Sequence, residues 1–483
     1  MGLLGILVAL GLLIWLAYRG WSVLLLAPAA AILAAGLAGE PLLAHWTQTF
    51  MGSAARFLMQ FFPIFLLGAL FGKLMEDSGS VSAIASFMAE RLGPRRAVLS
   101  VVLAGALVTY GGVSLFVAFF VLAPMAHALF RAAAIPKRLM PAAIALGTST
   151  FTMSALPGTP AIQNAIPMPF FGTTPFAAPG LGIIASIIML GFGLWWLARA
   201  EASARKKGEG YGTDADLAVD APENQIVRER ATTSGTFDPA EVRRGHQSDA
   251  APSIALAAFP LAIVVGVNLL MSLFVLPRLD ASYLADLAWG STSLSAVAGV
   301  WAVVTALATA IVTLIAINYR RLPALRASMD AGANASALPV LTVASLVGFG
   351  SVVAALPAFA TVRDWVLSID GGPLVSLAVA TNVLASLTGS ASGGLTIALD
   401  ALGDAYMRLA AAQGIDPALM HRVAVISAGT LDSLPHNGAV VTLLAVCGST
   451  HRESYLDIVM VAIVGALLGL VTVIGLGTAF GSF

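Results

Sequence analysis

The chain has 483 residues, of which 58% are hydrophobic and only 10% are charged. Soluble globular proteins carry roughly 25% charged residues, so this composition has too few polar side chains to cover a water-facing surface and predicts an integral membrane protein. Lysine plus arginine balances aspartate plus glutamate at 25 each, which argues against a basic surface for nucleic acid.

Apolar segments long enough to cross a bilayer recur along the whole chain. A spanning helix needs about 20 mostly apolar residues. Uninterrupted candidates are residues 2–18, 21–38, 57–75, 179–200, 254–276, 293–317, 339–356 and 458–478. Segments of sufficient length that contain Gly, Pro and small polar residues are 98–132, 139–167, 374–411 and 419–446. The sequence therefore predicts an all-α polytopic membrane protein.

The stretch 201–251 mixes charged residues with Gly, Ser and Thr. Such a composition cannot build a core, so we predict a solvated linker between two membrane domains, residues 1–200 and 252–483. Because Lys and Arg favour the cytoplasmic side, we place the linker in the cytoplasm and both termini outside. The basic residues left on the outer side are Arg56, Arg278, Arg363, Arg408 and Arg422.

Short motifs recur in the same order in both halves. Tyr110-Gly-Gly-Val-Ser114 resembles Ser392-Gly-Gly-Leu-Thr396, and the residues from Ser149 to Pro157 resemble those from 427 to 435. With the linker in the cytoplasm and both termini outside, each half crosses the bilayer an odd number of times, so the two repeats are expected to be inverted. Inverted repeats with paired broken helices are typical of secondary transporters.

Two of the interrupted segments, 98–132 and 374–411, are too long for one crossing and carry glycines near their middle. We expect each to form a re-entrant hairpin, with the two tips entering from opposite faces. Non-helical backbone at membrane depth persists only where it is buried in protein or lines a cavity, so the tips imply a central site. The candidate substrate-binding residues at the tips are Tyr110, Gly111, Gly112, Ser114, Ser390, Ser392, Gly393 and Gly394.

The other two interrupted segments contain Pro157 and Pro435, where a helix is expected to unwind. The half-helix after each break would offer free N–H groups to an anion, and nearby hydroxyls could bind its oxygens. The candidates here are Ser149, Thr150, Thr152, Gly158, Thr159, Thr430, Ser433, Asn437 and Gly438. We predict that one cavity near the bilayer midplane is lined by Ser114, Ser149, Thr152, Ser392, Thr430 and Asn437. The alternative is that these hydroxyls only support helix packing, as is common in membranes.

Asp432 and His436 flank the second break and have no ionisable counterpart in the first half. Ionisable groups inside a membrane are costly and are functional candidates, so we predict that this pair couples transport to protons. The alternative is that they cap freed backbone groups. Glu76 and Asp77, at the end of a span, look like solvated interface residues.

Other classes of membrane protein find less support. An enzyme would need a converging nucleophile and base or a metal cluster, and the six scattered histidines offer none. A channel would need a repeated filter or a ring of like charges. We therefore expect no enzyme activity, no cofactor and no metal site.

The motifs together resemble the gluconate:proton symporter (GntP) family, and most closely its hydroxybutyrate-permease-like branch within the ion transporter superfamily. They are Thr109-Tyr-Gly-Gly-Val-Ser-Leu-Phe116, Ile135-Pro-Lys-Arg138, Ala155-Leu-Pro-Gly-Thr-Pro160 with Gln163-Asn164, Thr388-Gly-Ser-Ala-Ser-Gly-Gly394 and Asp432-Ser-Leu-Pro-His-Asn-Gly-Ala439.

The resemblance implies a bacterial inner-membrane importer that carries a small organic anion with protons. It also implies an elevator mechanism, in which a transport domain with both hairpins slides against a scaffold domain, and we expect the scaffold to form a homodimer contact. The neutral first hairpin departs from the sugar-acid members and favours a shorter hydroxycarboxylate or monocarboxylate. The alternative is a sodium-coupled dicarboxylate carrier of the same fold.

Overall fold

The structure is a computed structural model that describes residues 2–212, 225–248 and 250–483. The helices of the first half are α1 (Gly2–Tyr18), α2 (Val23–Ala38), α3 (Leu42–Asp77), α4 (Ser80–Leu92), α5 (Ala97–Tyr110), α6 (Leu115–Ala132), α7 (Met140–Thr148), α8 (Phe151–Ser154), α9 (Ile162–Ala165), α10 (Pro167–Phe171) and α11 (Pro179–Lys206). The connecting segment contains α12 (Gln225–Ser234). The helices of the second half are α13 (Ile254–Arg278), α14 (Leu294–Asn318), α15 (Leu325–Ala355), α16 (Phe359–Leu367), α17 (Gly372–Thr388), α18 (Ala391–Gln413), α19 (Pro417–Ala428), α20 (Gly438–Val446) and α21 (His451–Phe480).

Within the described residues, seven helices are long and apolar enough to cross a membrane, and a bent pair, α4 with residues 94–110, would make an eighth. The all-α polytopic class is therefore confirmed. Two spans are longer than predicted, because α3 begins at Leu42 and α15 at Leu325. Hydropathy marks only the apolar part of a helix, and both helices continue through more polar residues at one end.

The predicted helix interruptions are present. The first long segment divides into α5 and α6, and the corresponding later segment divides into α17 and α18. The helix α7 ends at Thr148 and α19 ends at Ala428, each before an unwound stretch. The same order of elements thus occurs twice along the chain: long helices, a short helix, a helix pair, a broken helix and a final long helix.

The two halves meet along α3 and α15, which pack closely against each other. A Cβ added at Gly332 of α15 would stand 2.9 Å from the Cα of Leu70 on α3, so this glycine permits the close approach. Large aromatic side chains of α3, including Phe61 and Phe65, are buried in the same core. Around this centre lie the helix pairs and the broken helices that form the site.

The prediction of a solvated linker is wrong for residues 225–248, which we call the strap. Ala231 and Phe237 of the strap are fully buried. The backbone N–H of Asp238 donates to the carbonyl of Ala335 on α15 at 2.8 Å. Apolar side chains among the charged residues find partners on the membrane helices, which composition averaged over the segment does not reveal. The remaining linker residues 213–224 and 249 lie outside the described part of the chain.

Glu76 and Asp77 are also buried rather than solvated. Lys73 Nζ donates to Asp77 Oδ1 at 2.9 Å and to Glu76 Oε2 at 3.3 Å, and all three side chains are almost inaccessible. The strap completes the cluster, because Lys73 also donates to the carbonyl of Val242 at 2.7 Å. The strap therefore replaces the water that these charges would otherwise face.

Candidate functional site

The tip of the first helix pair is a tight turn between α5 and α6. Gly112 adopts a φ of 98°, a conformation that side chains with a Cβ rarely take. Ser114 caps α6, with its Oγ accepting a hydrogen bond from the Phe116 N–H at 3.4 Å. Tyr110 donates its hydroxyl to the Pro157 carbonyl at 2.9 Å and so ties the tip to the first helix break.

The first break keeps its backbone groups paired although it is not helical. Gly158 has a φ of 80°, and its N–H donates to the Pro175 carbonyl at 2.8 Å. Asn164 donates from Nδ2 to the carbonyls of Thr159 and Pro175, both at 3.0 Å. These hydrogen bonds fix the conformation of the non-helical segment.

Most hydroxyls of the first break serve packing rather than the cavity. Thr150 donates to the Leu146 carbonyl at 2.7 Å, and Thr152 lies within hydrogen-bond distance of Thr109 and of the Gly147 carbonyl. The Thr159 hydroxyl accepts from the Ala161 N–H at 3.4 Å. These local bonds are compatible with the packing alternative for the three threonines.

Arg422 does not lie on the outer surface, where charge counting placed it; it is completely buried beside the first break. Its guanidinium donates to the Ala177 carbonyl at 2.7 Å and to the Ser154 carbonyl at 3.3 Å. The neighbouring His421 contacts Thr173 and Asn164 through its two ring nitrogens. A buried charge needs hydrogen-bond partners, and the unwound carbonyls supply them. The hydrogen bonds of Arg422 thus link the loop before α11 to the broken helix of the first half.

The second tip lies earlier in the sequence than the pair Gly393-Gly394, which had been predicted to form it. The turn consists of Gly389, with a φ of 62°, and Ser390, which caps α18 by accepting from the Gly393 N–H at 3.0 Å. Gly393 and Gly394 lie inside α18, so the prediction that they form the tip is wrong. A Cβ at Gly394 would overlap the backbone of Ala385, so this glycine instead lets α17 and α18 pack closely. Ser392 lies 3.3 Å from Ser390, hydroxyl to hydroxyl.

The second break is organised by Asn437. Its Oδ1 accepts hydrogen bonds from the N–H groups of Ala439 and Val440, at 2.6 and 3.3 Å, and so caps α20. Its Nδ2 donates to the Gly389 carbonyl at 2.8 Å and joins the break to the second tip. Two of the N–H groups expected to be free at this half-helix are therefore capped by the Asn437 side chain. Thr430 follows the end of α19 and donates to the carbonyl of Ile426, in the last turn of that helix, at 2.7 Å.

A cavity of about 30 Å³ lies between the two breaks, α6 and the start of α18. Its polar lining residues are Ser149, Ser154, Gln163, Asp432, Ser433 and Asn437. Of the six residues predicted to share one cavity, Ser149 and Asn437 line it, whereas Ser114, Thr152, Ser392 and Thr430 make the local bonds described above. Among the described lining residues Asp432 is the one ionisable side chain, and its Oδ1 accepts a hydrogen bond from Ser433 at 3.2 Å.

His436 faces a different cavity, of about 40 Å³, which the strap helps to close. Its Nε2 lies 3.0 Å from the Ser386 carbonyl on α17. Gly438 lies under the strap, because a Cβ there would overlap the Arg230 carbonyl oxygen. Asp432 and His436, which the sequence analysis paired, therefore line different cavities.

Sequence reasoning did not include Gln163 among the site residues. Gln163 is 5% exposed, lines the Asp432 cavity and has an Oε1 that bonds to no described residue. The signal available in the sequence was its position directly before Asn164 and shortly after the first break. An amide there is as compatible with packing as with binding, so only the fold distinguishes the two roles.

Comparison with known proteins gives matches along the chain. A family model described as GntP family permease matches residues 1–191. The chain is 41% identical over 471 residues to the uncharacterised transporter YxjC of Bacillus subtilis strain 168, covering 96% of each protein. It is 39% identical over 106 residues to the high-affinity gluconate transporter of Escherichia coli K12, covering 21% of this chain and 23% of that protein.

Among solved structures, the fold is similar to the crystal structure of the Alcanivorax borkumensis YdaH transporter. The TM-score is 0.54 at 17% sequence identity, covering 91% of this chain and 89% of that one. At this identity the likeness shows the fold alone. It extends over nearly the whole chain, so both halves belong to one helical transporter fold.

Proposed function

The chain belongs to the GntP family of permeases, and from that premise we propose that it imports a small organic anion together with protons. It is a multi-pass bacterial membrane protein and a transporter, not an enzyme.

The observation that best supports proton coupling is the composition of the Asp432 cavity. Asp432 lines it together with neutral hydroxyl and amide groups, and no Lys or Arg is among the described lining residues. An anion entering beside an ionised carboxylate would be repelled at short range in a low-dielectric site. Protonation of Asp432 removes that repulsion, so substrate and proton each favour the binding of the other.

The proposed substrate is a hydroxycarboxylate or monocarboxylate. Hydroxyl and amide groups such as Ser149, Ser433 and Asn437 can bind both carboxylate oxygens and substrate hydroxyls. The partial similarity to a protein named as a gluconate transporter supports a gluconate-like acid. The neutral first tip, from Tyr110 to Ser114, favours a shorter acid such as 3-hydroxybutyrate.

We propose further that the two halves are inverted repeats and that the helix pairs with the broken helices move as a transport domain. The recurring element order supports the repeat. The packed long helices α3 and α15 are the proposed scaffold, and a homodimer contact on the scaffold is proposed with it. Scaffold and transport domain meet at the first tip, where a Cβ added at Gly72 of α3 would lie 3.9 Å from the Cβ of Ser114.

That separation matches the Cβ–Cβ distance of about 3.8 Å found in disulfides. The double variant Gly72→Cys with Ser114→Cys, once oxidised, is therefore expected to stop transport while substrate still stabilises the protein against heat. The control is the same double variant kept under reducing conditions, which should leave transport intact. Full transport in the oxidised Gly72/Ser114 variant would refute a sliding transport domain.

The experiment that tests proton coupling is Asp432→Asn in proteoliposomes, with Asp404→Asn, an exposed carboxylate of α18, as the control. Asp432→Asn is expected to abolish accumulation of labelled gluconate or 3-hydroxybutyrate driven by a pH gradient, yet to retain part of the counterflow exchange. Asp404→Asn should behave as the unchanged protein. Accumulation by Asp432→Asn with an unchanged pH dependence would place the proton site elsewhere.

A further inference from the structure

We propose that Gln163 determines the preference of the central site for acids that carry a hydroxyl group; this inference rests on the proposed function. The side chain is 5% exposed and lines the same cavity as Asp432. Its Oε1 accepts no hydrogen bond from any described residue. A buried polar atom without a partner is costly, so an unpartnered oxygen on a cavity-lining side chain points to a group that the ligand supplies.

The partner of Oε1 must be a hydrogen-bond donor. A carboxylate offers only acceptors, and none of the described lining residues donates to Oε1. A substrate hydroxyl can donate to Oε1 while its oxygen accepts from another group. Sites built to bind a hydroxyl reject the analogue that lacks it by large factors, because the protein group is left unpaired. Gln163 therefore selects 3-hydroxybutyrate over butyrate.

The test measures the dissociation constants of 3-hydroxybutyrate and butyrate for the purified protein and for Gln163→Leu. The unchanged protein should prefer the hydroxy acid, and the variant should lose at least about tenfold of that preference. Asn382→Leu is the matched control. Asn382 is another buried amide whose Oδ1 has no described partner, but it lies on α17 and does not line the cavity. It should keep the preference.

An equal preference in Gln163→Leu and the unchanged protein would overturn the role of Gln163 while leaving the substrate class standing. Binding of neither acid by the unchanged protein would overturn the proposed substrate class and this inference with it. The two failures are thus distinguishable in one set of titrations.

A second, independent observation concerns the strap, which we propose restrains the transport cycle from within the chain. The strap contacts both proposed domains. On the scaffold side Lys73 donates to the Val242 carbonyl at 2.7 Å, and the Ser248 N–H donates to the Asp77 carbonyl at 2.8 Å. On the transport side a Cβ at Gly235 would overlap the ring of Phe116 on α6.

The strap also covers the second tip and the second break. Its residues Glu229, Arg230 and Thr233 share a cavity with Gly389 and His436. A segment bound to both domains must release one of them before they slide past each other. The docked strap therefore slows transport without occupying the Asp432 cavity.

Replacement of residues 225–248 by a Gly/Ser segment of equal length tests this restraint, together with the milder variant Ala231→Glu. Ala231 is fully buried, so a carboxylate there should undock the strap. Gln247→Glu adds the same group at an exposed strap position and is the control. Both undocking variants should raise the initial rate of 3-hydroxybutyrate uptake several-fold at unchanged affinity.

Unchanged or slower uptake with intact substrate binding would overturn the restraint. Loss of binding in both variants would show that the strap belongs to the folded core and would overturn it as well. Failure of the unchanged protein to transport the acid at all would instead count against the proposed function, on which this inference also depends.

Discussion

Asn437 joins the second helix break to the second tip. The loss in free energy of unfolding that follows from its removal has two contributions. The loss of a side-chain cap costs about 1 kcal/mol. The hydrogen bond from Nδ2 to the Gly389 carbonyl is buried, and side-chain hydrogen bonds between helices of membrane proteins contribute about 0.6–1.7 kcal/mol. Asn437→Ala should therefore destabilise the protein by about 1.6–2.7 kcal/mol.

The control is Asp416→Ala, because Asp416 caps α19 through the Ala418 N–H at 2.8 Å and is an exposed cap. In thermal unfolding of detergent-purified protein, Asn437→Ala should lower Tm by roughly two to three times as much as Asp416→Ala. Equal shifts for Asn437→Ala and Asp416→Ala would refute a contribution from the tip contact.

The remaining predictions concern the fold around the site. Arg422→Lys keeps the charge but loses the guanidinium group that donates to both the Ala177 and Ser154 carbonyls, so Tm should fall by several degrees. An unchanged Tm would contradict a stabilising role for these hydrogen bonds. Gly147→Ala should destabilise, because its Cβ would overlap a carbonyl of α5, whereas Gly191→Ala meets open space and should not; equal Tm values would contradict the close contact. A hydrogen bond from Arg138 holds the pKa of Glu209 below its ordinary value of 4.5, so that pair stabilises the fold above this pH and loses its effect as the pH falls through the lower folded-state pKa. Glu209→Gln should lower Tm slightly at pH 7, and its Tm gap to the unchanged protein should close as the pH falls below the lowered folded-state pKa of Glu209; a Tm gap that does not change with pH would contradict this.

The helices and their interruptions were predictable from the sequence because their causes are local. An apolar run predicts a span, and Pro157 or Pro435 predicts where a helix unwinds. The position of the second tip was not predictable in the same way. The pair Gly393-Gly394 carries the same letters as Gly111-Gly112, but a glycine can serve a turn or a close helix contact, and only the packing of α17 on α18 decides.

Which side chains are buried, and what they contact, depends on segments that are distant in the sequence. Charge counting treats Arg422 as a surface residue, because it cannot see the unwound carbonyls that accept its hydrogen bonds. Composition treats the strap as solvated, because burial of Ala231 and Phe237 requires partner surfaces from other helices. Asp432 was identified as an ionisable residue in a predicted span, but its placement in a different cavity from His436 follows from the course of the chain after the break.

Proton flux that accompanies substrate is the measurement that tests the proposed function most directly. Proteoliposomes containing a pH-sensitive dye would receive 3-hydroxybutyrate or gluconate in a sodium-free medium. Proton-coupled import predicts acidification of the lumen that depends on the protein and is abolished by Asp432→Asn. Substrate uptake that requires sodium and leaves the lumen pH unchanged would contradict the proposed function.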